Sequence, residues 1–149
     1  MRHLLLFTLL YPLAVFNPVL AENNTQPLLD KSYQEAQAGR FEEALKILHE
    51  ALDQAPNSSL IHTRIGGVKV LRKEYSAGIK DFRKAIMLDQ KNASAFVGMA
   101  VAYLHMGQYN LARAALDEAA KIDPSKQSEI DQVIAWIDQR AGGQSIPGH

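Results

Sequence analysis

The chain has 149 residues, 47% hydrophobic and 21% charged, with 16 basic and 16 acidic side chains and no formal net charge. This composition fits one compact domain and excludes a collagen-like or wholly disordered chain, and the even charge argues against nucleic acid or an anionic membrane as the main partner. There is no cysteine, which excludes disulfides, thiolate zinc sites and cysteine nucleophiles and leaves packing as the source of stability.

Residues 1–21, MRHLLLFTLLYPLAVFNPVLA, run from a basic start through an apolar block, Leu4 to Phe16, to a small-residue end. That pattern predicts a secretory signal peptide cleaved after Ala21, and hence a periplasmic or secreted protein. The alternative is an uncleaved membrane anchor. The block is shorter than the roughly 20 residues a span needs, and Pro12, Asn17 and Pro18 interrupt it. Loss of Arg2 leaves 15 basic and 16 acidic residues, distributed unevenly. Residues 22–58 hold 3 basic and 7 acidic, 59–92 hold 8 and 3, and 93–149 hold 4 and 6, so the middle is positive and the ends negative. Residues 22–26, ENNTQ, read as a flexible start.

From there the text repeats with a period of 34. Phe41, Tyr75 and Tyr109 are one such set, followed by Ala44, Gly78 and Ala112, then Leu48, Phe82 and Leu116, then Ala51, Ala85 and Ala119. The units span about 25–58, 59–92 and 93–126, and each predicts two helices. In the second helix of the first unit, Phe41, Ala44, Leu45, Leu48, Ala51 and Leu52 recur at three and four, an amphipathic stripe. Gly39 and Gly107 precede second helices where a left-handed residue turns the chain, and Pro56 and Pro124 stop them. Ile130, Val133, Ile134 and Ile137 predict a seventh helix over 126–140 with a polar outer side, an end cap such as a repeat array needs. Residues 141–149 read as a flexible tail.

This text resembles the tetratricopeptide repeat, a helix-turn-helix unit of 34 residues. The likeness is strongest in the third copy, at Ala100, Tyr103, Gly107, Tyr109, Ala112, Leu116, Ala119 and Pro124. The second copy departs with Lys73 for the turn glycine, Gly78 for the small alanine and Gln90 for the proline; in the first, Lys31 and Glu35 replace an apolar and an aromatic residue. The resemblance implies an all-α right-handed superhelix of three helix-turn-helix repeats plus the cap, serving as a protein-interaction scaffold. It also implies a concave groove lined by the first helix of each pair: Leu29, Tyr33 and Ala36, then Thr63, Gly67 and Val70, then Val97, Val101 and Leu104, with Arg64 nearby. Most are apolar, so the expected partner is an apolar helix or extended peptide, acidic where it meets the rim. The groove is expected either open or covered by the seventh helix or the N-terminal segment. Family members that grip a C-terminal carboxylate use lysines and asparagines on this face, and no such asparagines stand there.

No enzyme signature is present, and no cofactor or metal is expected. Gly66-Gly67 followed by Lys69 suggests a phosphate loop, but Val68 and Val70 flank the lysine and no strand is in reach. Gly66 instead takes the place of Ser32 and Ala100, a small residue where helices cross. His49, His62 and His105 lack the i, i+4 spacing of a shared metal. Arg64, Lys69, Arg72, Lys73, Lys80, Arg83, Lys84 and Lys91 form either a solvated face or a belt for an acidic protein partner; self-association of a negative end with this middle is a third reading. Asn23, Asn57 and Asn92 begin Asn-x-Ser/Thr sequons, the last two in turns between repeats. Gly67, a glycine inside a helix on the lining face, either deepens the groove or is drift.

Overall fold

The computed structural model describes residues 18–142, with side chains from residue 24 to residue 140. Most of the predicted signal segment and tail (1–17 and 143–149) therefore lies outside the described residues. Seven helices follow one another: α1 (Pro18–Gln37), α2 (Phe41–Gln54), α3 (Ser59–Leu71), α4 (Tyr75–Leu88), α5 (Ala93–His105), α6 (Tyr109–Ile122) and, after one 3-10 turn at Pro124–Lys126, α7 (Gln127–Gly142). No strand occurs among the described residues. Helices α1/α2, α3/α4 and α5/α6 pack as antiparallel pairs, each pair lies against the next, and α7 lies on α6.

One turn, repeated three times, makes these pairs. Gly39, Lys73 and Gly107 adopt φ values of 74°, 65° and 70°. At each, the left-handed residue donates its N–H three residues back, and the following residue donates five back: Gly39 to Ala36 and Arg40 to Glu35, Lys73 to Val70 and Glu74 to Lys69, Gly107 to Leu104 and Gln108 to Tyr103. These bonds satisfy the last carbonyls of the first helix. Lys73 thus holds the left-handed conformation that the flanking copies give to glycine. Between units, Pro124 opens the 3-10 turn, while the second unit, which lacks a proline, turns on the Asp89 carboxylate, which accepts from Lys91 N at 2.9 Å.

The N-terminus differs from expectation. Residues 22–26 are helical, and α1 begins at Pro18 and runs through Ala21. The polar text ENNTQ suggests a loose start, but this turn of α1 lies along α2: Asn24 Nδ2 donates to Gln54 Oε1 at 3.0 Å, and Thr25 is buried. The helix also continues through Pro27, a residue that removes one helical hydrogen bond. The two departures of the first copy stay at the surface: Lys31 is exposed, and half-buried Glu35 pairs with Arg40.

Burial follows the repeat. Leu29, Leu48, Ile61 and Ile65 fill the first unit and its junction with the second, and Tyr103, Leu116, Ile130 and Ile137 fill the third unit and its cap. Phe82 lies between them with Ala85 and Ala95. A polar clasp joins units two and three: Asn92 Nδ2 donates to Ser59 Oγ (2.7 Å) and Thr63 Oγ1 (2.9 Å), while its Oδ1 accepts from Ala95 N (2.9 Å) and caps α5. The turn position explains only the cap; the amide also spans two repeats. Asn92→Ala is expected to cost about 2–3 kcal/mol, the sum of a lost cap and two hydrogen bonds, read as a lower urea midpoint.

Candidate partner-binding groove

Helices α1, α3 and α5 present a shared cavity of about 350 Å³. Its walls are Ser32, Tyr33, Ala36 and Gln37 of α1, Thr63, Arg64, Gly67, Val68, Val70 and Leu71 of α3, and Gly98 and Val101 of α5; Leu48 and Phe82 reach it from the second helices. Seven of the ten residues expected on the lining face line this cavity: Tyr33, Ala36, Thr63, Arg64, Gly67, Val70 and Val101. Tyr33, Leu71 and Val101 are 54%, 57% and 39% exposed, apolar surface that no described residue covers. Helix α7, expected as one way to close the groove, packs elsewhere, on α6 and against Val97.

Three expected lining residues lie elsewhere. Leu29 is 2% exposed and packs with Ala44, Leu48 and Ile61, because α1 at this turn leans on α2; it borders an adjoining cleft shared with Asp30, Tyr33, Gln34 and Arg64. Val97 lines a separate cleft with Leu116, Ile130 and Val133, where α7 takes the place a fourth repeat would hold. Leu104 packs on the core of the third unit. Leu71 and Gly98 are lining residues that the sequence reading omitted. The period offers a signal for both, since their counterparts one repeat earlier, Gln37 for Leu71 and Arg64 for Gly98, also line the cavity.

The expected basic belt is divided. Lys69 pairs with Asp81 at 2.6 Å, Arg72 with Glu74 at 2.9 Å and Glu42 at 3.5 Å, and Arg83 donates to the Tyr103 hydroxyl at 3.2 Å. Lys73, Lys80, Lys84 and Lys91 are exposed without ion pairs among the described residues. Of the eight, Lys69, Arg72 and Arg83 are thus engaged within the fold, and Arg64 is the one that lines the cavity; its guanidinium carbon lies 6.0 Å from the Tyr33 ring centroid.

The remaining sequence features resolve into packing. Gly66 and Gly67 lie inside α3, not in a loop. His105 stacks on Tyr75 at 5.0 Å, and Trp136 meets Tyr109 edge-on at 6.4 Å with Arg140 over its ring. No group of three or more histidine or acidic side chains is placed to hold a metal among the described residues. Both ring nitrogens of His62 are buried without a hydrogen bond. Burial lowers its pKa below the ordinary value, with Asp81 and the Pro56 backbone carbonyl, which lies outside hydrogen-bond geometry, opposing. The unfolded chain therefore takes up this proton first as pH falls: His62's contribution is complete above about pH 6.5 and declines below it toward the lowered folded pKa. The urea midpoint is expected to drop between pH 7.5 and pH 5.5, and His62→Leu to flatten that slope.

Comparison with known proteins agrees with this geometry. Residues 69–137 match the family model described as tetratricopeptide repeat. A TPR repeat-containing thioredoxin of Arabidopsis thaliana is 27% identical over 119 residues, 80% of this chain and 31% of that protein. A 58 kDa phosphoprotein of Plasmodium berghei is 29% identical over 84 residues, 56% of this chain and 20% of its own. The chain thus spans less than a third of the length of these curated relatives. Among solved structures, the TPR2B domain of yeast Sti1 in complex with pHsp70 superposes with a TM-score of 0.72 at 21% identity, covering 78% of this chain and 97% of that one. The Yersinia enterocolitica type III secretion chaperone SycD, in complex with a peptide of the translocator YopD, gives 0.70 at 16% identity, covering 80% and 95%. The fold is therefore that of a tetratricopeptide-repeat domain, and the match to the family's own pattern extends over residues 69–137.

Proposed function

We propose that this chain is a non-catalytic protein-interaction scaffold, an adaptor or assembly factor, that binds a partner peptide or helix in its concave groove within an exported compartment. The observation that carries the reading is the uncovered apolar surface of Tyr33, Leu71 and Val101 around one cavity. Exposed apolar side chains gathered around one cavity, as against single ones scattered over the surface, mark an interaction site. Similar folds whose solved complexes hold peptides, SycD with its YopD peptide among them, support a peptide as the occupant. The export reading draws on the sequence of residues 1–21 alone. The test is affinity capture of the tagged full chain with cross-linking and mass spectrometry, against Tyr33→Ala and Leu71→Ala. Both variants truncate exposed side chains and should fold; retention of every partner by both would sink the groove reading.

The second reading is an accessory subunit of an envelope complex, tethered by an uncleaved N-terminus. The continuity of α1 across Ala21 favours it, although no helix among the described residues is long and apolar enough to cross a membrane. The two separate on the mass of the protein recovered from fractionated cells: a soluble species beginning at Glu22 excludes the tether.

A further inference from the structure

We infer that the groove takes one leucine- or phenylalanine-sized side chain of its partner in the gap at Gly67, with a neighbouring carboxylate of that partner paired to Arg64. The inference rests on the groove reading above and specifies what the groove selects. At the position one repeat before and one after, Tyr33 and Val101 carry exposed side chains, so Gly67 leaves a side-chain-sized gap in a continuous row. A Cβ built on Gly67 would meet nothing within 4 Å. Glycine inside a helix is unfavourable in itself, and nothing in the packing of this molecule requires it at 67. Phe82 and Gly98 contribute the aromatic ring and bare backbone at the same cavity. A volume of about 350 Å³ falls at the small end of ligand pockets and suits one anchoring residue of a longer segment.

Charge sets the second half of the recognition. Arg64 precedes Gly67 by three residues, on the same helix face. It is exposed, lies over Tyr33, and has no ion pair among the described residues. Asp30 shares the adjoining cleft, but it is not within ion-pair distance of Arg64 and accepts from Gln26 Nε2 at 2.8 Å. A guanidinium keeps five donors for a planar acceptor, and Arg64 donates to no other side chain or carbonyl among the described residues. An acidic residue next to the apolar anchor completes both requirements at once.

The test uses two small probes, the acid N-acetyl-Leu-Asp-amide and its amide counterpart N-acetyl-Leu-Asn-amide, titrated into the 15N-labelled full chain. Saturable shifts are expected at the backbone amides of Arg64, Gly67 and Gly98. Gly67→Leu fills the gap and should lose them while melting no lower than the wild type, and Arg64→Gln should weaken the acid about twofold to fivefold and leave the amide unchanged. Absence of saturable shifts there, or shifts that survive in Gly67→Leu, overturns the anchor, and equal affinity for acid and amide in the wild type overturns the Arg64 pairing. Shifts that emerge only after residues 1–17 are removed would put that segment in the gap, and dimers dispersed by the probe would put a second copy there; either overturns a separate partner. If the probes fail while Tyr33→Ala still loses captured partners, the groove reading stands and the anchor alone falls.

Discussion

Phe82→Ala is expected to destabilise the protein by about 3–5 kcal/mol, the usual cost of emptying a core phenylalanine site, and to lower the urea midpoint accordingly. Phe82 is 2% exposed and sits between the two larger core clusters, so its ring joins unit two to unit three. Its counterparts 34 residues away are Leu48 and Leu116, and the larger ring fits because its neighbours are missing side chains. A Cβ on Gly98 would lie 2.4 Å from Phe82 Cζ, and one on Gly66 2.8 Å from Cε1. The positions corresponding to Gly66 hold Ser32 and Ala100, and those corresponding to Gly98 hold Arg64 and Gln132. The middle unit is therefore a coordinated exchange, ring in and two side chains out.

That exchange makes a coupling that can be measured. Gly98→Ala gains about 1 kcal/mol of helix propensity but overpacks against the ring at about 1–3 kcal/mol, so it should destabilise the wild type or leave it unimproved. The three nearest atoms a new methyl would meet all belong to the Phe82 ring, at 2.4, 2.5 and 3.1 Å. In a Phe82→Leu background the clash is relieved, and the same substitution should turn stabilising. A double-mutant cycle with no interaction energy between the two sites would refute the wedge.

The parts of this fold that were legible in the sequence are those fixed by local chemistry. Left-handed turns announce themselves as Gly39 and Gly107, and the period then places Lys73 in the same conformation without a glycine. Apolar steps of three and four place Ala44, Leu48 and Ala51 in the core. What the sequence left open depends on contacts between distant segments. Leu29, Val97 and Leu104 share the helical phase of the groove residues, yet a leaning helix buries the first, α7 borders the second, and the third unit's core takes the third. Gly98 is sixteen residues from the ring it accommodates and on another helix, so no spacing rule reports that contact. The start of α1 was obscured for a related reason: Asn24 and Thr25 are polar enough for a loop, and in the folded chain Asn24 bonds to α2 and Thr25 is buried.

The adjacent glycines of α3 should respond in opposite directions to the same methyl group. Gly66 faces inward: its added Cβ would lie 2.8 and 2.9 Å from the Phe82 ring and 3.0 Å from the carbonyl oxygen of Gly78. The reverse contact is as close, since a Cβ on Gly78 would lie 2.9 Å from Gly66 O. Here α3 and α4 approach backbone to backbone, and a carbonyl inside a helix cannot swing away as a side chain can, so the two helices must separate. Gly66→Ala is expected to cost about 2 kcal/mol even after the helix-propensity gain of about 1 kcal/mol. Gly67 is one residue on and about 100° around the helix, facing open space, so Gly67→Ala keeps that gain and should stabilise by about 1 kcal/mol. At about 2–4 °C per kcal/mol for a chain of this size, the first variant melts several degrees below the wild type and the second a few degrees above it. A stabilised Gly67→Ala would also separate folding from binding at this position, since the residue that costs the helix most is then one that the fold does not need.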